Sequence, residues 1–153
     1  MAQAALTPWR CIASGLGAGR APAAPGTCGS LLGLALGCLL LHAGHKALLA
    51  GVILIAAIGL YAIARLPEAA EDPGWIVIDE IAGQMIPLLA LSSVTPLGAA
   101  LCFILFRIFD IWKPGPVAWA DRRKDAYGIM GDDVVAGLLA WLAVLAVGLA
   151  VPL

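Results

Sequence analysis

Five apolar stretches divide this chain of 153 residues, and they decide the solvent in which it can fold. They cover roughly residues 30–41, 47–64, 75–91, 96–112 and 134–153. A helix that crosses the hydrocarbon of a bilayer needs about 17–25 residues. The second and fifth stretches meet that length. The third and fourth meet it only where their charged residues are tolerated, and the first is short, to be half-inserted or lengthened by its glycine-rich flank. Hydrophobic residues make up 62% of the chain and charged residues 12%, against about 25% charged in soluble domains. A chain this small cannot hide that much apolar surface in its own core. No period-two alternation points to a β-barrel. The expectation is an all-α, polytopic membrane helical bundle of about five helices, forming a single membrane-embedded domain over residues 1–153.

Several function classes drop out. The net charge of −1 leaves no basic footprint for nucleic acid. Cys11, Cys28, Cys38 and Cys102 form no C-x-x-C pair, no zinc spacing and no disulfide framework. Cys38 and Cys102 read as small hydrophobes. Residues 11–19 are too short and glycine-rich for the apolar core of a signal peptide. The Gly15-Leu-Gly-Ala-Gly19 string has the wrong spacing for a dinucleotide fingerprint. His42 and His45 read as interfacial caps, and no serine or cysteine has a histidine in a triad-like context.

Local signals set expected limits. Asp72-Pro73 reads as N-cap and first helical residue, so the third helix is expected to start there. Lys113-Pro114 with Gly115-Pro116 ends the fourth. Gly131-Asp132-Asp133 is expected to open the fifth. With a cytoplasmic N-terminus and five crossings, Arg10, Arg20, Arg65, Arg107, Lys113, Arg122, Arg123 and Lys124 lie in or beside cytoplasmic regions. Only Lys46 lies outside, so eight of the nine basic residues obey the positive-inside rule. The same arrangement puts residues 21–30, 68–80 and 107–133 on the cytoplasmic side, and a chemical site is expected there.

Asp79 and Glu80 would lie about 10 Å into a helix that began at Asp72, where one Asp costs about 2.5–3.5 kcal/mol. Either they sit higher and face water, or they form a carboxylate pair held by a cation, with Gln84 one turn after Glu80. Arg107, Asp110 and Lys113 recur along one helical stripe. They form an ion-pair ladder with a snorkelling Lys113, or else Arg107 and Lys113 hold phosphate and Asp110 a metal. Asp132 and Asp133 are first-turn acids, or they join Asp79, Glu80 and Asp110 in a set of five carboxylates. Such a set repels itself unless a divalent ion neutralises it, and oxygen ligands completed by a substrate phosphate suit Mg²⁺. The loop before the first stretch offers N–H groups and hydroxyls to an anion at a helix N-terminus.

Four blocks stand in order along the chain: Arg20-Ala-Pro-Ala-Ala-Pro-Gly-Thr-Cys-Gly-Ser30, Ile78-Asp-Glu-Ile-Ala-Gly-Gln84, Phe106-Arg-Ile-Phe-Asp-Ile-Trp-Lys-Pro-Gly-Pro116 and Gly128-Ile-Met-Gly-Asp-Asp-Val-Val-Ala-Gly137. Together they resemble the bacterial phosphatidylglycerophosphatase A family. The resemblance implies a Mg²⁺-dependent lipid phosphatase of the inner membrane. Such an enzyme takes the terminal phosphate from phosphatidylglycerol phosphate, leaving phosphatidylglycerol, with its site facing the cytoplasm.

The matched residues are Arg20, Pro25, Gly26, Thr27, Gly29, Ser30, Asp79, Glu80, Gly83, Gln84, Arg107, Asp110, Lys113, Pro114, Asp132 and Asp133. On that basis Asp79, Glu80, Asp110, Asp132 and Asp133 are the expected metal ligands, and Arg20, Thr27, Ser30, Arg107 and Lys113 the phosphate contacts. Asp79, Glu80, Asp110 and Lys113 are the expected catalytic groups, with Glu80 the first choice of general base. The chain departs from the family at Gly115, where a larger residue is common, and at Asp125-Ala126, near which a Gly-Gly pair is common. Two rivals remain at this level. A phosphatidyltransferase would show Asp-Gly-x₂-Ala-Arg, which is absent, and a cation carrier would spread its carboxylates through the membrane depth.

Overall fold

A computed structural model describes residues 7–151; the last two residues of the fifth apolar stretch and residues 1–6 lie outside the described part. Among the described residues there are seven α-helices and no strand. They are α1 (Pro8–Ala13), α2 (Pro25–His42), α3 (His45–Ile63), α4 (Ile78–Met85), α5 (Pro96–Trp112), α6 (Gly115–Asp121) and α7 (Ala126–Gly148). Three 3₁₀ turns, Gly15–Arg20, Pro67–Glu71 and Pro87–Ala90, join them.

By length and composition α2, α3 and α7 can cross a membrane. α2 is longer than the first apolar stretch because its glycine-rich flank is helical. Pro25 stands at the start, where its fixed φ suits a helix and its missing N–H costs nothing. Gly29 and Gly33 then bring α2 hard against the segment that leads into and forms α4. A Cβ on Gly33 would lie 2.6 Å from the Ile81 carbonyl oxygen, and one on Gly29 would lie 2.8 Å from the Val77 Cβ.

The third apolar stretch is not a helix that starts at Asp72. Asp72 closes the 3₁₀ turn Pro67–Glu71 in the left-handed region, at φ 48. The chain then runs out to Val77, whose N–H donates to the Ala13 carbonyl at 2.9 Å. Only at Ile78 does α4 begin, and it lasts eight residues. Pro87 cannot continue the hydrogen-bond ladder, so the chain turns through Pro87–Ala90. α4 packs against α2, α3 and α7, and Ile78, Asp79, Ile81, Ala82, Gly83, Gln84 and Met85 are buried. Irregular backbone at membrane depth is tolerated when protein encloses it, and these three long helices enclose this short one.

Gly131 does not open the last helix either. The Asp125 side chain accepts the Gly128 N–H at 2.9 Å, so α7 starts at Ala126. Asp132 and Asp133 therefore lie almost two turns inside a helix. α5 does end where the Lys-Pro pair indicates: Trp112 is its last residue, and Lys113 takes the left-handed region at φ 48. Cys102 is buried and Cys38 half-buried in the apolar core. The His45 Nε2 lies 2.8 Å from the Leu91 carbonyl, tying the start of α3 to the end of the Pro87–Ala90 turn, and both His42 and His45 are exposed. At the opposite end α1 is held by the Arg10–Glu68 ion pair and by Arg65 over the Trp9 and Tyr61 rings.

Gly83 faces α7 and α5: an added Cβ would lie 2.6 Å from the Asp133 carbonyl oxygen and 2.8 Å from the Phe106 ring. Gly83→Ala is expected to lower stability by about 1–3 kcal/mol through overpacking. Gly74→Ala, where nothing lies within 4 Å, should stay within about 0.5 kcal/mol. Thermal unfolding in detergent measures both, and equal melting of the two variants would refute the close packing of α4 on α7.

Candidate active site

The first turn of α4 carries Asp79 and Glu80, and the second turn of α7 carries Asp133. These three supply carboxylate oxygens that all lie within 4.8 Å of one another. Asp79 is 6% exposed and Asp133 3%. Asp79 Oδ1 and Glu80 Oε2 are buried without a hydrogen-bond partner, as are both amide atoms of Gln84 one turn further on. Buried polar atoms are nearly always paired, and three like charges at this spacing repel. An all-oxygen trio with unpaired lone pairs matches the ligand chemistry of a hard divalent cation.

A cationic corner adjoins the trio. Arg107 on α5 donates from Nη1 to Asp110 Oδ2 at 2.5 Å and to Ser30 Oγ at 3.2 Å. The Ser30 hydroxyl in turn donates to the Gly26 carbonyl at 2.9 Å. A Cβ on Gly26 would meet Glu80 Oε1 at 2.5 Å and Arg107 Nη1 at 3.6 Å. The first turn of α2, the Glu80 carboxylate and the Arg107 guanidinium thus share one small space, open enough at Gly26 for backbone to approach.

Lys113 leaves the stripe on which Arg107 and Asp110 stand, because its left-handed backbone ends α5. Its ammonium pairs with Asp121 at the end of α6 and with Asp132 Oδ2 at 2.7 Å. Burial works against its charge, but the hydrogen bonds to Asp121 and Asp132 outweigh this and hold the ammonium above its usual range. The hydrogen bond from Lys113 keeps the Asp121 carboxyl below its usual range. The pair is ionised at neutral pH. Asp132 Oδ1 accepts the Asp133 N–H at 3.0 Å, so both Asp132 oxygens are taken.

The five expected metal ligands therefore divide. Asp79, Glu80 and Asp133 come together; Asp110 is bound to Arg107 and Asp132 to Lys113. Of the expected phosphate contacts, Ser30 and Arg107 meet. Arg20 is exposed at the end of the Gly15–Arg20 turn, and Thr27 is half-buried in the first turn of α2; among the described residues neither is tied to another side chain. Two residues to which the sequence reading assigned no site role matter here: Asp121, which pairs with Lys113, and Asp125, whose side chain caps α7.

A family model described as phosphatidylglycerophosphatase A matches residues 11–148. A protein of Escherichia coli (strain K12) named phosphatidylglycerophosphatase A is 38% identical over 136 residues, covering 87% of this chain and 79% of that protein. One of the same name from Haemophilus influenzae is 38% identical over 146 residues, covering 93% of this chain and 90% of its own. A Bacteroides thetaiotaomicron protein with the provisional name phosphatidylinositol-3-phosphatase is 39% identical over 144 residues, covering 87% and 89%. No solved structure matches the chain.

Lys113→Met strands the buried Asp132 carboxylate without its cation. A loss of about 1–3 kcal/mol in unfolding free energy is expected. Adding Asp132→Asn should return part of it, since the two sites share one interaction. A double-mutant cycle by denaturant unfolding in mixed micelles measures the coupling, and strictly additive losses would remove the pair from the structural account.

Proposed function

The chain belongs to the phosphatidylglycerophosphatase A family, and we propose that it dephosphorylates phosphatidylglycerophosphate at this site with Mg²⁺ held by Asp79, Glu80 and Asp133. The observation that carries the metal assignment is the cluster of three carboxylates within 4.8 Å, two of them with buried, unpaired oxygens. When bound, the ion supplies positive charge against the phosphoryl oxygens and an acidified water.

The chain's own groups divide the remaining work. Arg107, held between Ser30 and Asp110, presents a fixed guanidinium to the phosphate; charge-assisted hydrogen bonds of this kind are strong and geometrically selective. The N-terminal turn of α2 adds backbone N–H groups on the same side, and the Ser30 hydroxyl keeps Arg107 aimed. Lys113 offers a second positive charge against the charge that builds on the leaving glycerol oxygen of the lipid, which takes up a proton as the P–O bond breaks. Glu80 is the assigned general base: its Oε1, at the Gly26–Arg107 corner, takes the proton from water, while its buried Oε2 is left to the metal. Asp110 and Asp132 act through the cations they hold. The products are phosphatidylglycerol and inorganic phosphate.

The site is assigned to the cytoplasmic face of the bacterial inner membrane. That assignment is supported by the eight-to-one distribution of Lys and Arg across the apolar segments. A second substrate has a specific observation in its favour, the provisional name of the Bacteroides relative. Phosphatidylinositol 3-phosphate is also a phosphomonoester on a phospholipid headgroup, and the same corner suits it.

Purified protein is expected to release phosphate from phosphatidylglycerophosphate vesicles with Mg²⁺ and to stop on chelation. Asp79→Asn, Glu80→Gln and Asp133→Asn should each lower kcat by about 10²–10³-fold. Full activity of Asp79→Asn would sink the assigned trio. Faster turnover of phosphatidylinositol 3-phosphate would overturn the assigned substrate. A binding readout accompanies this: Asp133→Asn relieves repulsion, so its metal-free melting temperature should rise while the increase on adding Mg²⁺ disappears.

A further inference from the structure

The outer face of α5 holds a groove that the phosphatase chemistry does not use. Phe103, Ile104, Arg107, Ile108, Ile111 and Trp112 line it, and it encloses about 430 Å³, within the roughly 300–1,000 Å³ usual for ligand sites. Ile104, Ile108, Ile111 and Trp112 are exposed there. The helix period produces it: residues 103, 107 and 111 form one row, residues 104, 108 and 112 the next, and the groove runs between them. From Phe103 to Trp112 it extends about 13 Å at 1.5 Å per residue.

One residue breaks its apolar character. The Arg107 stem lines the groove, but its guanidinium turns inward to Ser30 and Asp110. The groove and the polar site therefore share a side chain and are continuous through it. Towards the middle of α5 the lining is Phe103 and Ile104. Towards its cytoplasmic end the lining is Ile111 and Trp112, and Trp prefers the headgroup level of a bilayer.

We propose that this groove is the acyl-chain subsite of the phospholipid substrate, with Arg107 marking the boundary between headgroup and tail. The proposal rests on the lipid-phosphatase reading above. The anionic headgroup turns inward at Arg107 towards the acid trio, and one chain lies outward along Ile108, Ile104 and Phe103. Continuity with the polar site and the charge match at Arg107 single out this face among the exposed apolar faces of the bundle. Contact along the chain is made away from the reacting phosphate, and it holds that phosphate in register.

The test uses the full chain in nanodiscs or detergent with two probes, dioleoyl phosphatidylglycerophosphate and its dihexanoyl analogue. Ile104→Trp fills the groove. The ratio of kcat/KM for the long over the short substrate is expected to fall about tenfold, the equivalent of roughly two displaced methylenes. Ile104→Ala should move the ratio the same way by less. Ile53→Trp, on the exposed face of α3, should leave the ratio unchanged. An unchanged ratio in Ile104→Trp, or an equal fall in Ile53→Trp, means an ordinary lipid contact and overturns the subsite. Equal losses on both substrates in both Ile104 variants also overturn it, since they mark a residue that supports the fold rather than the chain. A wild-type protein inactive on both probes overturns the activity reading, and the groove with it.

Discussion

With Gly83 facing the Asp133 carbonyl and Gly137 facing the Gly83 carbonyl, α4 and α7 meet with no side chain between their backbones. Asp79 and Glu80 stand one turn before that contact, and Asp133 stands within it. Any side chain at Gly83 would push the helices apart and separate the three carboxylates. α2 presses from another side through Gly33 and Gly29, and α4 is left with almost no exposed surface. The acid cluster is thus a consequence of small residues on three helices, not of the acids attracting one another.

Magnitudes show how far the chain can stabilise such a cluster unaided. The positive end of the α4 dipole favours Asp79 and Glu80 by about 0.3–1 kcal/mol each. One aspartate at membrane depth costs about 2.5–3.5 kcal/mol, so the dipole does not offset the burial of three. The neighbouring cations are already engaged: Arg107 with Asp110, Lys113 with Asp121 and Asp132. Around the site six carboxylates face two cations. That imbalance adds to the close spacing of Asp79, Glu80 and Asp133 as support for the proposed divalent ion. It also explains why Asp110 and Asp132 are better regarded as holding the two cations in place.

Much of the framework was legible because lipid imposes simple rules. Apolar length marked α3 and α7, and the Lys113-Pro114 pair stopped α5 because proline restricts the residue before it. The same kind of signal misled at Asp72-Pro73. There the decisive contact is between Val77 and Ala13, more than sixty residues apart, and no local pattern reports it. Gly131 was the expected start of α7, but the Asp125 side chain caps the helix further upstream, and that moved two acids from a helix end to its interior. The family blocks named the expected site residues, but not which of them meet. That Lys113 leaves its stripe for Asp121 depends on one left-handed residue and on where α6 comes to rest.

α5 shows how a small bundle can serve two solvents at once. Its inner face packs on α7, α2 and α4, and Phe106 there is fully buried. The next residue, Arg107, sits where inner and outer faces join, so it lines the apolar outer groove while its guanidinium meets Asp110. Both of its bonds, to Ser30 and to Asp110, come from Nη1, so the other guanidinium nitrogens keep N–H groups for an anion, which the single nitrogen of a lysine could not supply. In the proposed reaction, an arginine at this seam recognises the phosphate beside lipid without opening the apolar wall. The three-residue step from Arg107 to Asp110 keeps the counter-charge on the same helical side, so the guanidinium stays aimed at the acid side of the helix.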